Sequence, residues 1–281
     1  MSKLDDLVAE VSVTRRLVRV ASDRPGVTAL VGGPGPDGQL GGGSYSYPGL
    51  AATVQAAAAG LTWRGLQARD VVGVLVPDAA GFALAIHAVR AAGGVPSPLD
   101  PSLCAVETAG QLAESGARMI ITSPPLADTA LAAVDRSWVR QVFSFVDAPG
   151  ATRFSDLLGL DMIRPSRGQP DDVALLPFSR GVGGRLRPAP VSHRELADLV
   201  DRADEEARFS TRDVVMAMSP SGDGLGYATL IDSALLRGAT VVAVTAPELV
   251  LGANLHHGTV ALVPRGARIE VPARVRAISV S

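Results

Sequence analysis

The chain has 281 residues, 47% of them hydrophobic, and 26 basic side chains stand against 28 acidic ones for a formal net charge of −2. That length and apolar fraction, with a positive mean hydropathy, exclude a disordered chain and suffice for one large core or two lobes. The near-balance of charge predicts no nucleic-acid partner, and a single cysteine, Cys104, excludes a disulfide framework and Cys-rich metal sites.

No basic-then-apolar leader opens the chain and no apolar run reaches bilayer length, so a cytoplasmic protein with no membrane partner is expected. Residues 4–20 predict a helix with Leu4, Leu7, Val11 and Leu17 partly on one face. A strand follows at 28–31, an exposed Gly- and Pro-rich turn at 32–43, a strand at 45–47 and an Ala-rich helix at 50–61. Residues 70–76 read as a buried strand ended by Pro77, and 82–92 as a helix stopped by Gly93 and Gly94. The run Val95-Pro-Ser-Pro-Leu99 holds too many prolines for a central strand and fits a short edge. Cys104, before a helix at 107–115, is expected to be a buried small residue. Strands at 119–122 and 142–145 continue the alternation around a segment at 126–134.

Residues 147–171 are less regular and are expected to link two lobes. The alternation then restarts with a short strand at 172–177, a helix at 195–207 capped by Ser192, a strand at 213–218 and a helix at 227–236. Strands at 240–244, 259–263 and 275–280 complete it. Strand-then-helix repetition predicts an α/β fold of two parallel-sheet-rich lobes with flanking helices, divided as 1–165 and 166–281, and one continuous domain fits the same pattern. Ligands of such folds bind at the carboxyl ends of the strands.

The segment Phe178-Ser-Arg-Gly-Val-Gly-Gly-Arg-Leu-Arg-Pro-Ala-Pro-Val-Ser-His193 would sit there. Gly181, Gly183 and Gly184, between a strand and a helix, would let backbone amides approach an anion. Arg180, Arg185, Arg187 and Arg194 make the loop basic, but no Lys-Ser or Lys-Thr follows the glycines as a Walker loop requires. The plainer alternative is a solvated turn whose arginines pair with surface carboxylates, beside a structural His193. His256 and His257 point apart in any regular backbone and lack acidic or cysteine neighbours, so no metal is expected.

The loop resembles the phosphate-loop motif of adenylate-forming enzymes, the acyl-CoA synthetase and AMP-dependent ligase superfamily. Its two motif glycines fall on Gly181 and Gly184, its lysine on Arg187, and its closing hydroxyl–His pair on Ser192 and His193. Of the motif hydroxyls only Ser179 remains, since Arg180, Val182 and Gly183 occupy the other positions. Ser44-Tyr-Ser-Tyr-Pro-Gly-Leu50, Arg69-Asp-Val-Val-Gly-Val-Leu-Val-Pro77, His87-Ala-Val-Arg-Ala-Ala-Gly-Gly-Val-Pro-Ser-Pro98, Leu236-Arg-Gly-Ala-Thr-Val-Val242 and Thr259-Val-Ala-Leu-Val-Pro264 resemble further family segments in the expected order.

The resemblance implies the first part of the family's large N-terminal domain, with a degenerate phosphate loop. It implies nucleotide or anion binding by Ser179, Arg180, Gly181, Gly183, Gly184, Arg187, Ser192 and His193, with ATP, AMP or CoA as ligands. An acyl pocket would fall on Ser221, Gly222, Asp223 and Gly224, where the family's aromatic and His are missing. The family's later motifs, including its catalytic lysine, do not occur through Ser281, so unaided acyl-CoA synthesis is not expected and no catalytic residue is assigned. Three roles follow: a pseudoenzyme that binds a small carboxylate, a nucleotide or a partner; a ligase fragment completed by another polypeptide; or altered chemistry on the same scaffold. Self-association or a complementing protein is expected over the uncovered surface.

Overall fold

The computed structural model describes residues 11–33, 43–124, 126–159, 161, 163–166, 168–181, 185–219 and 224–280. Helix α1 (Val13–Asp23) leads to an antiparallel pair, β1 (Thr28–Gly33) and β2 (Gly43–Ser46), and then to α2 (Tyr47–Trp63). Ser46 starts α2 by accepting a hydrogen bond from the Gly49 amide (3.1 Å), with Pro48 in the first turn where its missing N–H is not needed. The start of the first predicted helix and most of the predicted turn at 32–43 lie outside the described residues.

The next stretch builds a five-stranded sheet in the order β4-β3-β5-β6-β7, every pair parallel. Its elements are β3 (Val71–Leu75), α3 (Ala79–Ala91), β4 (Val95–Pro98), α4 (Ala105–Ser115), β5 (Met119–Thr122), α5 (Ala127–Val134), β6 (Gln141–Ser144) and β7 (Thr152–Arg153). The prolines of β4 do place it at an edge, yet that edge is not open to water. Leu176 N donates to Pro96 O (2.9 Å) and Ser97 Oγ to Leu176 O (2.8 Å), so the following segment covers the unpaired backbone. Cys104 is exposed, contrary to expectation, because it is the residue preceding α4 and lies outside the packed face of the helix.

Two short antiparallel ribbons follow, β8 (Val173–Leu175) with β11 (Val191–Ser192) and β9 (Phe178–Arg180) with β10 (Leu186–Pro188). The predicted simple succession of strand, loop and helix is thus replaced by a hairpin nested inside another strand pair. The rest comprises α6 (His193–Ala207), β12 (Val214–Ala217), α7 (Leu225–Arg237), β13 (Thr240–Ala243), α8 (Leu249–Leu255), β14 (Val260–Pro264) and β15 (Arg276–Val280). Helix α8 has no counterpart among the predicted elements, since seven residues interrupted by Gly252 carry little periodicity.

These strands form a six-stranded sheet in the order β15-β14-β12-β13-β1-β2, parallel except for β2. The division expected at 165/166 follows the order of the chain; the five-stranded sheet lies wholly before it, whereas the six-stranded sheet draws strands from both sides. Thr28 to Gly33 joins the later sheet because β1 pairs with β13, matching Leu30 to Val241.

Helix α3 lies between the two sheets, and every one of its residues is buried. A helix apolar on all sides is stable only in such a place, and its alanines let both sheets approach closely. Fully burying Phe82 or Leu84 stabilises the fold by about 1.5–3 kcal/mol each. The same burial makes its two polar residues, His87 and Arg90, costly unless they are partnered.

Candidate functional site

The β9–β10 hairpin is rooted by apolar side chains and presents polar ones. Phe178 and Leu186 pack with Leu75, Leu99, Ala109 and Leu112 against the α4 side of the five-stranded sheet. The register sets Ser179 directly opposite Arg187, both exposed, and Arg180 opposite Leu186. Gly181 N donates to Arg185 O (3.0 Å), closing the ladder toward the tip. A Cβ at Gly181 would meet its nearest neighbours at 3.6 and 3.9 Å, so packing does not require glycine there. Gly183 and Gly184 lie outside the described residues.

The basic side chains divide. Arg185 forms an ion pair with Glu114 of α4, and Arg194 with Asp171 (3.6 Å), as the solvated-turn reading predicts. No ion pair among the described residues involves Arg187, which stands across the ladder from Ser179. Ser192 serves the helix instead: its Oγ accepts from Glu195 N (3.2 Å), while its own N–H and O–H donate to Glu195 Oε2 (2.8 Å each).

His193 turns inward. Its N–H donates to Asp172 O (2.9 Å), and its ring lies so close to the Gly168 backbone that a Cβ there would fall 2.5 Å from Nε2. Nδ1 is buried without a hydrogen-bond partner among the described residues. Burial, then the nearby Arg90 guanidinium, pushes the imidazole down to about 4 against the opposing pull of Asp172. At neutral pH His193 is an uncharged packed ring, not a cation for an anion. Asp172 is itself held below the usual carboxylate range by the Gln169 amide, with Arg69 (2.5 Å) contributing.

Gly224, the described residue of the second predicted cluster, lies at the carboxyl end of β4. Gly224, with φ of +71°, opens α7, and a Cβ on it would lie 2.5 Å from the Pro98 Cβ. Both the left-handed backbone and the close approach require glycine here. Ser221, Gly222 and Asp223 lie outside the described residues. Thus Leu99 packs beside the hairpin's Phe178 while its neighbour Pro98 touches the start of α7, bringing two segments far apart in sequence to one strand end.

Two residues that sequence reasoning missed border the same end. Asp78, just past β3, caps α3 by accepting from Gly81 N (2.6 Å), and burial raises its carboxyl above the ordinary value. The Tyr227 phenol, raised by burial and then by the Asp78 charge, is also without a hydrogen-bond partner among the described residues. A polar residue closing a strand at a helix start was the available signal for Asp78; Tyr227 has none, since it only stacks edge-on against Phe82 (5.2 Å between centroids) inside an apolar helix.

A buried cluster lies behind the site. Arg90 Nη1 donates to Asp232 Oδ2 (2.8 Å), Arg90 Nε to Ala174 O (3.1 Å), and His87 places Nε2 3.1 Å from Asp232 Oδ1 and Nδ1 2.9 Å from Thr14 Oγ1. Burial pushes the Asp232 carboxyl up, but Arg90 and His87 more than offset it and hold it low. The cluster ties α1, α3, α7 and β8 together without reaching water. Among the described residues no group of three or more His, Cys, Asp or Glu could hold a metal ion, and no helix is long and apolar enough to cross a membrane.

The chain matches the family described as AMP-binding enzyme over residues 17–268. It is 28% identical over 220 residues to 4-coumarate–CoA ligase 4 of Arabidopsis thaliana, covering 73% of this chain and 38% of that protein. It is 30% identical over 217 residues to 4-coumarate–CoA ligase-like 3 of Oryza sativa subsp. japonica, covering 67% and 36%. Among solved structures, a benzoate CoA ligase from Burkholderia xenovorans LB400 superposes with a TM-score of 0.78 at 19% identity, covering 95% of this chain and 55% of that one. A long-chain-fatty-acid–CoA ligase from Archaeoglobus fulgidus gives 0.77 at 19% identity, covering 89% and 51%. The chain therefore spans less than two-fifths of these curated relatives and about half of these structural ones.

Proposed function

The chain belongs to the AMP-binding enzyme family, and from that premise we propose that it binds a ligand or partner without completing adenylation by itself. The make-up of the hairpin carries this reading. Displacement at an α-phosphate needs several donors and charges converging on one group. Here the exposed face sets one hydroxyl, Ser179, against one guanidinium, Arg187, while Arg185 and Arg194 are taken by carboxylates and His193 is uncharged. An arginine in that place favours holding a phosphate or carboxylate through its planar fork over the point charge a lysine supplies. ATP, AMP, CoA or a small carboxylate is the ligand class.

Calorimetry with ATP, AMP and CoA on the wild type and Arg187→Ala tests the binding half, and carboxylate-dependent AMP formation tests the other. Saturable binding weakened at least about tenfold in the variant, with no AMP formed, is the expected pattern. AMP formation by the chain alone would sink the pseudoenzyme reading, and absence of any heat would sink the nucleotide.

A second polypeptide that completes a ligase is the alternative, and one surface favours it. Leu251 and Leu255 of α8 are 69% and 70% exposed, and among the described residues β15 is an edge strand paired only with β14. Self-association through that surface, in the cytoplasm, belongs to the same proposal. Sedimentation velocity on the wild type and on Leu251→Ser/Leu255→Ser distinguishes a dimer that dissociates in the variant from a monomer in both.

A further inference from the structure

Both tryptophans of the chain, Trp63 and Trp138, are exposed, at 70% and 64%. Large aromatic rings in water are the exception in a folded protein, and here both exceptions share one end of the five-stranded sheet. Trp63 closes α2, and the next residue, Arg64, accepts a hydrogen bond on its carbonyl from Gln141 Nε2 (2.8 Å) at the start of β6. Trp138 lies on the approach to that same strand. The amino end of β6 therefore joins the anchor points of the two rings.

Arginines occupy the same layer. Arg118 N donates to Val71 O (3.0 Å) and Arg140 N to Arg118 O (2.8 Å), extending the parallel ladder in which Met119 matches Gln141. Arg118 and Arg140 thus stand side by side on neighbouring strands, about 5 Å apart in backbone, where like charges repel. Both are exposed, as is Arg136, and the Arg64 guanidinium lies 5.3 Å from the Trp63 ring. No ion pair among the described residues includes Arg64, Arg118, Arg136 or Arg140. The acidic side chains nearest in sequence are Asp135, exposed at the end of α5, Glu114, which pairs with Arg185, and Asp70, which accepts from Gln67 N (2.9 Å).

We infer that this end of the molecule is a peripheral docking face for an anionic lipid bilayer, with Trp63 and Trp138 among the headgroups and the four arginines paired to lipid phosphates and carboxylates. Charge complementarity selects the occupant: unpaired guanidinium groups and amphipathic indole rings together match the headgroup region. A net charge of −2 turns the rest of the surface away from such a bilayer and disfavours nucleic acid, which needs many phosphate contacts. Docking by the amino ends of the strands leaves Gly224, against Pro98 at the carboxyl end of β4, open. This replaces the expectation of no membrane partner, which weighed only contiguous segments; the face is assembled from residues 63–64, 118 and 136–140.

Because the only tryptophans are in the face, the emission of the intact chain reports docking directly. Phosphatidylcholine vesicles containing phosphatidylserine should shift it to the blue, brominated acyl chains should quench it, and salt should reverse both. Pure phosphatidylcholine should do neither. Arg118→Glu/Arg140→Glu should lower vesicle affinity at least about tenfold at unchanged melting temperature, and Trp63→Ser/Trp138→Ser should fail to float with vesicles. No shift with anionic vesicles, or an equal shift with neutral ones, overturns the inference. A response to a single-stranded oligonucleotide but not to lipid reassigns the face to nucleic acid. A lipid-independent blue shift that grows with protein concentration alongside a doubled sedimenting mass reassigns it to a second copy.

Discussion

Arg90 and Arg187 are the same side chain in opposite settings. Arg90 sits in α3 between two sheets, with Nη1 on Asp232, Nε on the Ala174 carbonyl and Nη2 buried without a partner among the described residues, and water is excluded. Arg187 stands on a short surface hairpin, opposite Ser179, with no ion pair among the described residues. The buried arginine ties its own helix to α7 and β8 and is unavailable to a ligand. The exposed one has no such buried partners, which is the setting the proposed ligand role requires. Position along the chain marks a residue for function, but exclusion of water decides what its charge is worth.

The harshest way to break this contrast is Arg90→Ala, which strands the Asp232 carboxylate in the core. Urea unfolding should show a loss of about 3–5 kcal/mol, and the double variant Arg90→Met/Asp232→Leu should recover most of it, because removing both charges removes the desolvation penalty. Recovery of nothing would mean that the cluster's worth lies in its geometry and not in its charges.

Next in size is a pH effect at His193, beside Arg90. The unfolded chain takes up a proton as pH falls through about 6.5, whereas the folded imidazole resists until about 4. Its contribution is therefore complete above 6.5 and is lost between 6.5 and 4, by at most about 3 kcal/mol. Urea midpoints from about pH 7.5 to about pH 4.5 should fall less steeply in His193→Asn than in the wild type. Parallel curves would remove His193 from the acid sensitivity.

Ser192→Ala deletes the acceptor that starts α6 and should cost about 1 kcal/mol in thermal melts, without affecting ATP binding beyond that. Smallest of all is Arg187→Ala, which should change stability by no more than about 0.5 kcal/mol while weakening nucleotide binding. A stability loss as large as that of Ser192→Ala would show that the hairpin arginine supports the fold, and the contrast with Arg90 would collapse.

Much of the architecture was legible in the sequence because its signals are local. Alternating apolar runs located most of the strands and helices, the prolines of β4 put it at an edge, and Ser192 with Glu195 announced a helix start. The site was legible only in outline. Ser179 and Arg187 do face each other, but through a hairpin that no local signal distinguished from a loop. His193 followed its helix inward, away from the anion-binding role the motif implies. Gly224 touches Pro98 for a reason invisible in the chain, since residues so far apart meet only when β4 and α7 pack.

The sequence by itself determined the α/β class, the succession of elements and the family, because hydrophobic period, caps and breakers act within a few residues of one another. Tertiary structure alone decided that β1 joins the later sheet, that Asp232 of α7 neutralises Arg90 of α3, and that two tryptophans and four arginines share one end. Those facts depend on which surfaces exclude water from each other, and burial is a property of the packed molecule, not of any segment within it.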